Sequence, residues 1–145
     1  MAELMAALDA TLQPFKEALS AGCFDALVRK VLGEHLLPPL ERLVLANKGP
    51  GFSSLGAMLF DKDVRALTGF VSGLTHRPVR DSFTRLSQIS LVLTLADPQE
   101  IFEYNWGDNT AGGGKILWSL TAEEVRRAMR RRSDWSQDGV MALRL

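Results

Sequence analysis

A chain of 145 residues with 46% hydrophobic residues is long enough to bury a core, and its formal net charge of zero gives it no overall pull toward nucleic acid or anionic lipid. Two histidines and one cysteine leave little material for a zinc site or a nucleophile with its base, so the composition points away from an enzyme and names no cofactor. Cys23 has no partner for an internal disulfide and reads as a small buried residue in a reducing compartment.

The first predicted element is an amphipathic helix over residues 2–21, in which Leu4, Leu8, Leu12, Phe15 and Leu19 recur every three to four positions and Gly22 supplies the stop. Pro14 removes an internal hydrogen bond and clashes one turn back, which predicts a kink there or two shorter helices. A second helix runs from about Phe24 through Leu27, Val28, Val31 and Leu32 to Leu36. Pro38 and Pro39 interrupt or restart it, and a third piece follows with Leu40, Leu43 and Val44 on one side. His35 reads as a surface or boundary residue, with no second ligand near it in the sequence. The turn-forming run Asn47-Lys48-Gly49-Pro50-Gly51 ends this lead-in, and residues 52–58 read as an ordered loop that buries Phe52, Leu55 and Leu59.

From Leu59 to Trp106 the pattern is three consecutive helices. Asp61 is placed to cap the first, whose face is Val64, Leu67, Val71 and Leu74. Gly69 and Gly73, spaced small-xxx-small, predict close approach of another helix of the same domain. Pro78 suits the first turn of the second helix, with Val79, Phe83, Leu86, Ser90 and Leu93 as its stripe. Asp97-Pro98-Gln99-Glu100 opens the third as a capping box. Residues 107–114, GDNTAGGG, form a surface loop in this reading; without a Gly-Lys-Ser/Thr ending they do not make a phosphate cradle.

Thr121-Ala122-Glu123-Glu124 is a second capping box, and Val125, Ala128 and Met129 form the inner face of the helix after it. Ser136 caps a last short helix carrying Val140 and Leu143, with Trp135 docking it onto the body. The sum is an all-α bundle of about six or seven helices. Apolar runs fall short of the ~20 residues that span a bilayer, the best being residues 89–96. The acidic pairs Asp61 with Asp63 and Glu123 with Glu124 fall at predicted helix starts, where negative charge meets free N–H groups. Residues 1–46 hold six acids and four bases, and residues 115–145 seven bases and four acids, a gradient too mild to define a partner.

One dense cluster remains: Arg126, Arg127, Arg130, Arg131 and Arg132. It is a possible basic contact surface, read either as a solvated face that pairs with acids at a protein interface, which is favoured, or as a site for lipid phosphates. Without interleaved exposed aromatics it does not read as a nucleic-acid site.

Several blocks in order carry a family resemblance: Phe60 to Arg65 (FDKDVR), Arg80 to Gln88 (RDSFTRLSQ), Ile101 to Trp106 (IFEYNW), Leu117 to Arg126 (LWSLTAEEVR) and the closing Leu143-Arg144-Leu145. Together they resemble the C-terminal region of the fourth subunit of the conserved oligomeric Golgi complex, over about residues 37–145 and more weakly before. Gly56-Ala57 departs from a glycine pair in that family; a positive φ at Ala57 would alter the loop locally.

The resemblance implies a non-enzymatic subunit of helical-rod type in a vesicle-tethering complex. It would act in intra-Golgi transport through protein contacts, peripheral on the cytoplasmic face of the Golgi. It implies other subunits of the complex as partners, with SNARE or Rab trafficking factors further out. Residues 1–145 would be one helical domain at the end of a rod, 1–46 its lead-in and 47–145 the best-matching part. Subunits of that family are several times longer than this chain, which suggests a fragment or a gene model that begins late. A peripheral binder of anionic membranes through the arginine helix and an unrelated helical adaptor are the competing readings. Trp118 and Trp135 are the structural aromatics. Arg80 and Glu124 stand in two of the matching blocks. If their helix N-termini lie close, Glu124 offsets the cation that Arg80 puts at a positive helix end; otherwise Arg80 is solvated or pairs with Asp81, and Glu124 serves only its own cap.

Overall fold

The computed structural model describes residues 1–46, 49–106 and 117–145, and the predicted all-α fold is what forms: seven α-helices with one π-helical and two 3₁₀ segments among these residues. α1 spans Ala2–Ala18 and continues through Pro14. It ends earlier than predicted because Ser20 caps α2 (Ala21–Lys30), its hydroxyl accepting from the Cys23 N–H, so Gly22 belongs to the first turn of α2. Of the α1 stripe only Leu12 is buried. Phe15 and Leu19 stay exposed; α1 packs chiefly on α2. Cys23 is likewise exposed, not buried.

The double proline is absorbed without a break. Val31–Leu36 widens into a π-helix, with the Leu37 N–H reaching back five residues to Leu32 O, and Pro38 and Pro39 then occupy the first turn of α3 (Leu37–Leu45). A wider turn relieves the carbonyls that a proline ring would strike and leaves no N–H missing where one is needed. Val44 is buried, whereas Leu43, expected beside it, is exposed.

α4 runs Ser54–Leu74, capped by Ser53, whose hydroxyl accepts from the Gly56 N–H at 3.1 Å. The predicted loop 52–58 is therefore mostly helix, and Asp61 is not a cap. Mid-helix, it accepts from Ser90 Oγ at 2.9 Å and pairs with Arg65 at 2.7 Å. Ala57 is a helical residue with no exposed surface, and the positive φ considered for it does not occur. Pro78 lies ahead of its helix: Arg80–Phe83 forms a 3₁₀ turn that leads into α5 (Thr84–Thr94). The predicted stripes of both helices, Val64, Leu67, Val71 and Leu74 against Val79, Phe83, Leu86, Ser90 and Leu93, are buried and face each other as the central pair.

The third segment is 3₁₀ over Pro98–Tyr104. Asp97 accepts from the Gln99 N–H, and Glu100 closes onto the Ala96 N–H instead of that of the cap. α6 (Ala122–Arg130) has the predicted capping box, and α7 (Gln137–Ala142) the predicted Ser136 cap. The loop predicted at 107–114 lies outside the described residues.

Apolar side chains gather in two cores. The first joins Leu12, Phe24, Val28, Leu32 and Leu37 to Val64, Leu67, Val71 and Phe83. The second joins Val44 and Ala57 to Ile89, Val92, Leu93, Ile101, Val125, Met129 and Val140. Phe60 packs against both. A short parallel bridge of backbone, Phe52 N–H to Arg131 O and Ser133 N–H to Phe52 O, closes the second core. A Cβ at Gly51 would come within 2.7 Å of Arg131 O, so that bridge requires glycine beside it.

Candidate interaction site

The polar side chains of the molecule concentrate where α3, α5 and α6 meet. Arg85, in the first turn of α5, donates through Nε to Glu41 of α3 at 3.0 Å, through Nη1 to Ser119 O at 2.8 Å, and through Nη2 to Glu124 of α6. One guanidinium thus ties three helices and the segment leading into the third, using its planar fork to serve separate acceptors at once. Its pKa is raised, first by the Glu124 hydrogen bond. For Glu124, burial pushes upward but is outweighed by Arg85 and by the Thr121 N–H and hydroxyl, so its carboxyl lies below the usual range.

One turn further along α5, Gln88 is buried and reads the backbone of the same segment: Nε2 donates to Leu117 O at 2.7 Å, and Oε1 accepts from the Ser119 N–H at 2.8 Å. Trp118, between them, donates through Nε1 to Tyr104 O at 3.1 Å and stands edge-on to Trp106 at 5.0 Å between ring centres. It joins the chain on either side of residues 107–116.

Arg80 and Glu124, for which the sequence left a pair and separate roles open, do not meet. Glu124 goes to Arg85, and Arg80 is exposed, with no ion pair among the described residues. Arg80 sits in a 3₁₀ turn before α5, so the helix start expected to face Glu124 is Arg85's, one turn later. Arg85 stands in the block Arg80 to Gln88, but its spacing marks it only as a residue flanking the apolar stripe. Glu41 likewise carries no signal beyond a polar position beside Leu40 and Val44.

The five arginines do not share a face. Arg132 is 3% exposed: Nη1 donates to Leu93 O and Leu95 O, Nε and Nη2 hold Asp134 at 2.8 Å, and the guanidinium lies 4.4 Å from the centre of the Trp135 ring. It therefore satisfies the carbonyl end of α5 and fixes the approach to α7. Asp134 is held below the ordinary carboxylate range by that hydrogen bonding. Arg131 is also buried; it reaches Pro50 O at 2.9 Å and lies over Phe52. Arg126 donates to Leu143 O, Arg127 pairs with Glu123 one turn back, and Arg130 turns to Met141. Of the run expected from the sequence as a basic surface, Arg131 and Arg132 are buried within the fold, Arg126 and Arg130 are half-buried, and Arg127 stays exposed. Trp135 is half-buried against the second core, which includes Val140 and Leu143, with Arg132 over its ring.

At the other end of the molecule a clamp that the sequence did not reveal joins α2 to the turn after α4. Asp25, buried, accepts from the His76 and Arg77 N–H groups at 3.0 Å each, and Arg29 donates to Pro78 O at 3.0 Å. The Asp25 carboxyl is lowered, first by the His76 N–H. His35 is exposed beside Glu34. No helix among the described residues is long and apolar enough to cross a membrane.

These contacts define an all-α packing module, in which charged side chains are spent on joining helices and satisfying backbone groups. The chain belongs to the family described as "Conserved oligomeric Golgi complex subunit 4, C-terminal", which matches residues 1–127. It is 34% identical to conserved oligomeric Golgi complex subunit 4 of Arabidopsis thaliana over 136 residues, 94% of this chain. To that of Homo sapiens it is 34% identical over 138 residues, and to that of Drosophila melanogaster 36% over 138, each 95% of this chain. In each case the chain spans 17% of the relative's length. The match starts at residue 1, so the lead-in helices, expected at the margin of the likeness, are inside it.

Proposed function

We propose that this chain acts as the terminal helical domain of a subunit of the Golgi vesicle-tethering complex, working through protein contacts and not by catalysis. Membership of the subunit 4 family across residues 1–127 carries the reading. The use of Arg85, Gln88, Arg131 and Arg132 as internal fasteners fits it, since each donates to backbone or carboxylate oxygens within the fold. Residues 1–145 act as one unit, with α4 and α5 shared between the two cores. Glu124, Trp118 and Trp135 maintain that unit, and Arg80 is left as a surface contact residue. The chain works peripherally on the cytoplasmic face of the Golgi; its partners are the other subunits and, through them, SNARE or Rab factors.

Tagged chain expressed in cells should co-purify with the other subunits of the complex and localise with a Golgi marker. Purification free of all of them, from cells in which the complex is intact, would overturn the reading.

A further inference from the structure

The long central helix has apolar residues on two faces, and only one is used. At 100° per residue the buried side of α4 is Ala57, Val64, Leu67, Val71 and Leu74. On the opposite side Leu55, Leu59, Lys62, Ala66, Gly69 and Gly73 fall in one line, with Met58 beside it, and all are exposed; Leu55, Met58 and Leu59 are 66%, 61% and 55% accessible. The line runs about 27 Å, at 1.5 Å per residue. A helix that is apolar on both sides is normally covered on both. The close helix neighbour predicted from Gly69 and Gly73 is not supplied by the described residues: among them, a Cβ built at either position meets nothing within 4 Å. Beside Gly69 the face opens into a groove of about 500 Å³ between α4 and α5, floored by Val64 and Phe83, edged by Thr68 and Ser87, and with Arg80 on its wall.

Charge selects the occupant. Lys62 is the one charge on the line, Arg80 stands on the groove, and among the described residues neither has an ion-pair partner. Asp61 is already matched by Arg65, and Asp63 lies off the line, half-buried. A second copy laid antiparallel would bring both Lys62 side chains near the centre of the contact, where like charges repel. An anionic bilayer would gain little from a face that ends in two glycines. We infer that the outer face of α4 docks an amphipathic helix of another protein. That helix carries acidic residues opposite Lys62 and Arg80, and its apolar side covers Leu55, Met58 and Leu59 at one end and approaches the backbone closely at Gly69 and Gly73 at the other. This rests on the reading of the chain as part of a multisubunit assembly.

The test uses this chain co-expressed with the other subunits of the complex, with a photo-cross-linking residue in place of Ala66. The expected product is a cross-link to a helical segment of another protein that has acids beside its apolar positions. Gly69→Leu with Gly73→Leu should lower recovery of that protein at least tenfold while leaving the thermal midpoint of the isolated chain unchanged or higher, because nothing inside the fold occupies that space. Lys62→Glu should lower recovery at least threefold, with rescue by reversing the acid identified. A cross-link only to a second copy, to lipid or to nothing overturns the proposal. So does full recovery by the double leucine variant, which would leave the subunit reading intact. If the unaltered chain recovers no subunit at all, the subunit reading fails first and the α4 proposal with it.

Discussion

The two cores are built from the same kinds of apolar side chain but are closed differently. In the first, α2 and the π segment join α4 and the start of α5 through aliphatic and phenylalanine contacts, α1 adds Leu12 from its place on α2, and the polar ties are Asp25 and Arg29 at one turn. In the second, most elements are short, and several junctions have a charged or amide side chain across them: Arg85 between α3, α5 and α6, Gln88 on the segment before α6, Arg131 on the loop before α4, and Arg132 at the end of α5. Long helices bury enough apolar area to need few such ties. Helices of six and nine residues such as α7 and α6 do not, and side-chain hydrogen bonds to backbone hold what propensity and area cannot.

That contrast can be broken from either side. The largest effect should come from truncating the first core: Phe83→Ala, at a side chain 1% exposed, is expected to cost about 4 kcal/mol in urea unfolding followed by circular dichroism, and a loss under about 2 kcal/mol would show that this core can collapse around the gap. Next, Arg132→Met should cost about 3 kcal/mol despite conserving much of the volume, since Leu93 O and Leu95 O lose their donor in a buried place. Arg127→Met, on the exposed side of the same run, should stay within about 0.5 kcal/mol. Equal costs for the two would mean that the arginines act as one surface after all.

Arg85→Ala should cost about 2 kcal/mol, between an exposed and a buried pair. In double-mutant cycles Arg85 with Glu124 should couple by about 1 kcal/mol and Arg80 with Glu124 by less than about 0.5 kcal/mol. The same junction predicts a pH response. Folded Glu124 releases its proton more readily than the unfolded residue. Its stabilisation is therefore complete above the ordinary glutamate pKa of about 4.3 and is lost as pH falls through the lower folded value. Asp134 and Asp25 act in the same direction, so Glu124→Gln should make the acid limb of the stability profile shallower without removing it. One change should be a gain: Gly69→Ala in the isolated chain should stabilise by up to about 1 kcal/mol, because among the described residues a Cβ there meets open space in mid-helix.

What the sequence determined by itself was periodicity and caps. The stripes Val64 to Leu74 and Val79 to Leu93 are buried as read, and Thr121 with Glu124, Asp97 and Ser136 start their segments, because these signals act within one or two turns and need no distant neighbour. The order of the family blocks likewise belongs to the sequence. Helix limits were legible only where no stronger cap lay nearby: Ser53 took the start of α4 from Asp61, and Ser20 the start of α2. Only the tertiary structure decided which charge meets which. Glu124 had one local role in its capping box and a second with Arg85, 39 residues away in sequence, that spacing does not encode. Arg131 and Arg132 read as a solvated run until Pro50 O, Leu93 O and Leu95 O were seen to lie within their reach. The physical reason is range: a helix face or a cap is set by neighbours three or four residues away, whereas a buried cation is stable only where the folded chain brings oxygen atoms from several segments to one place.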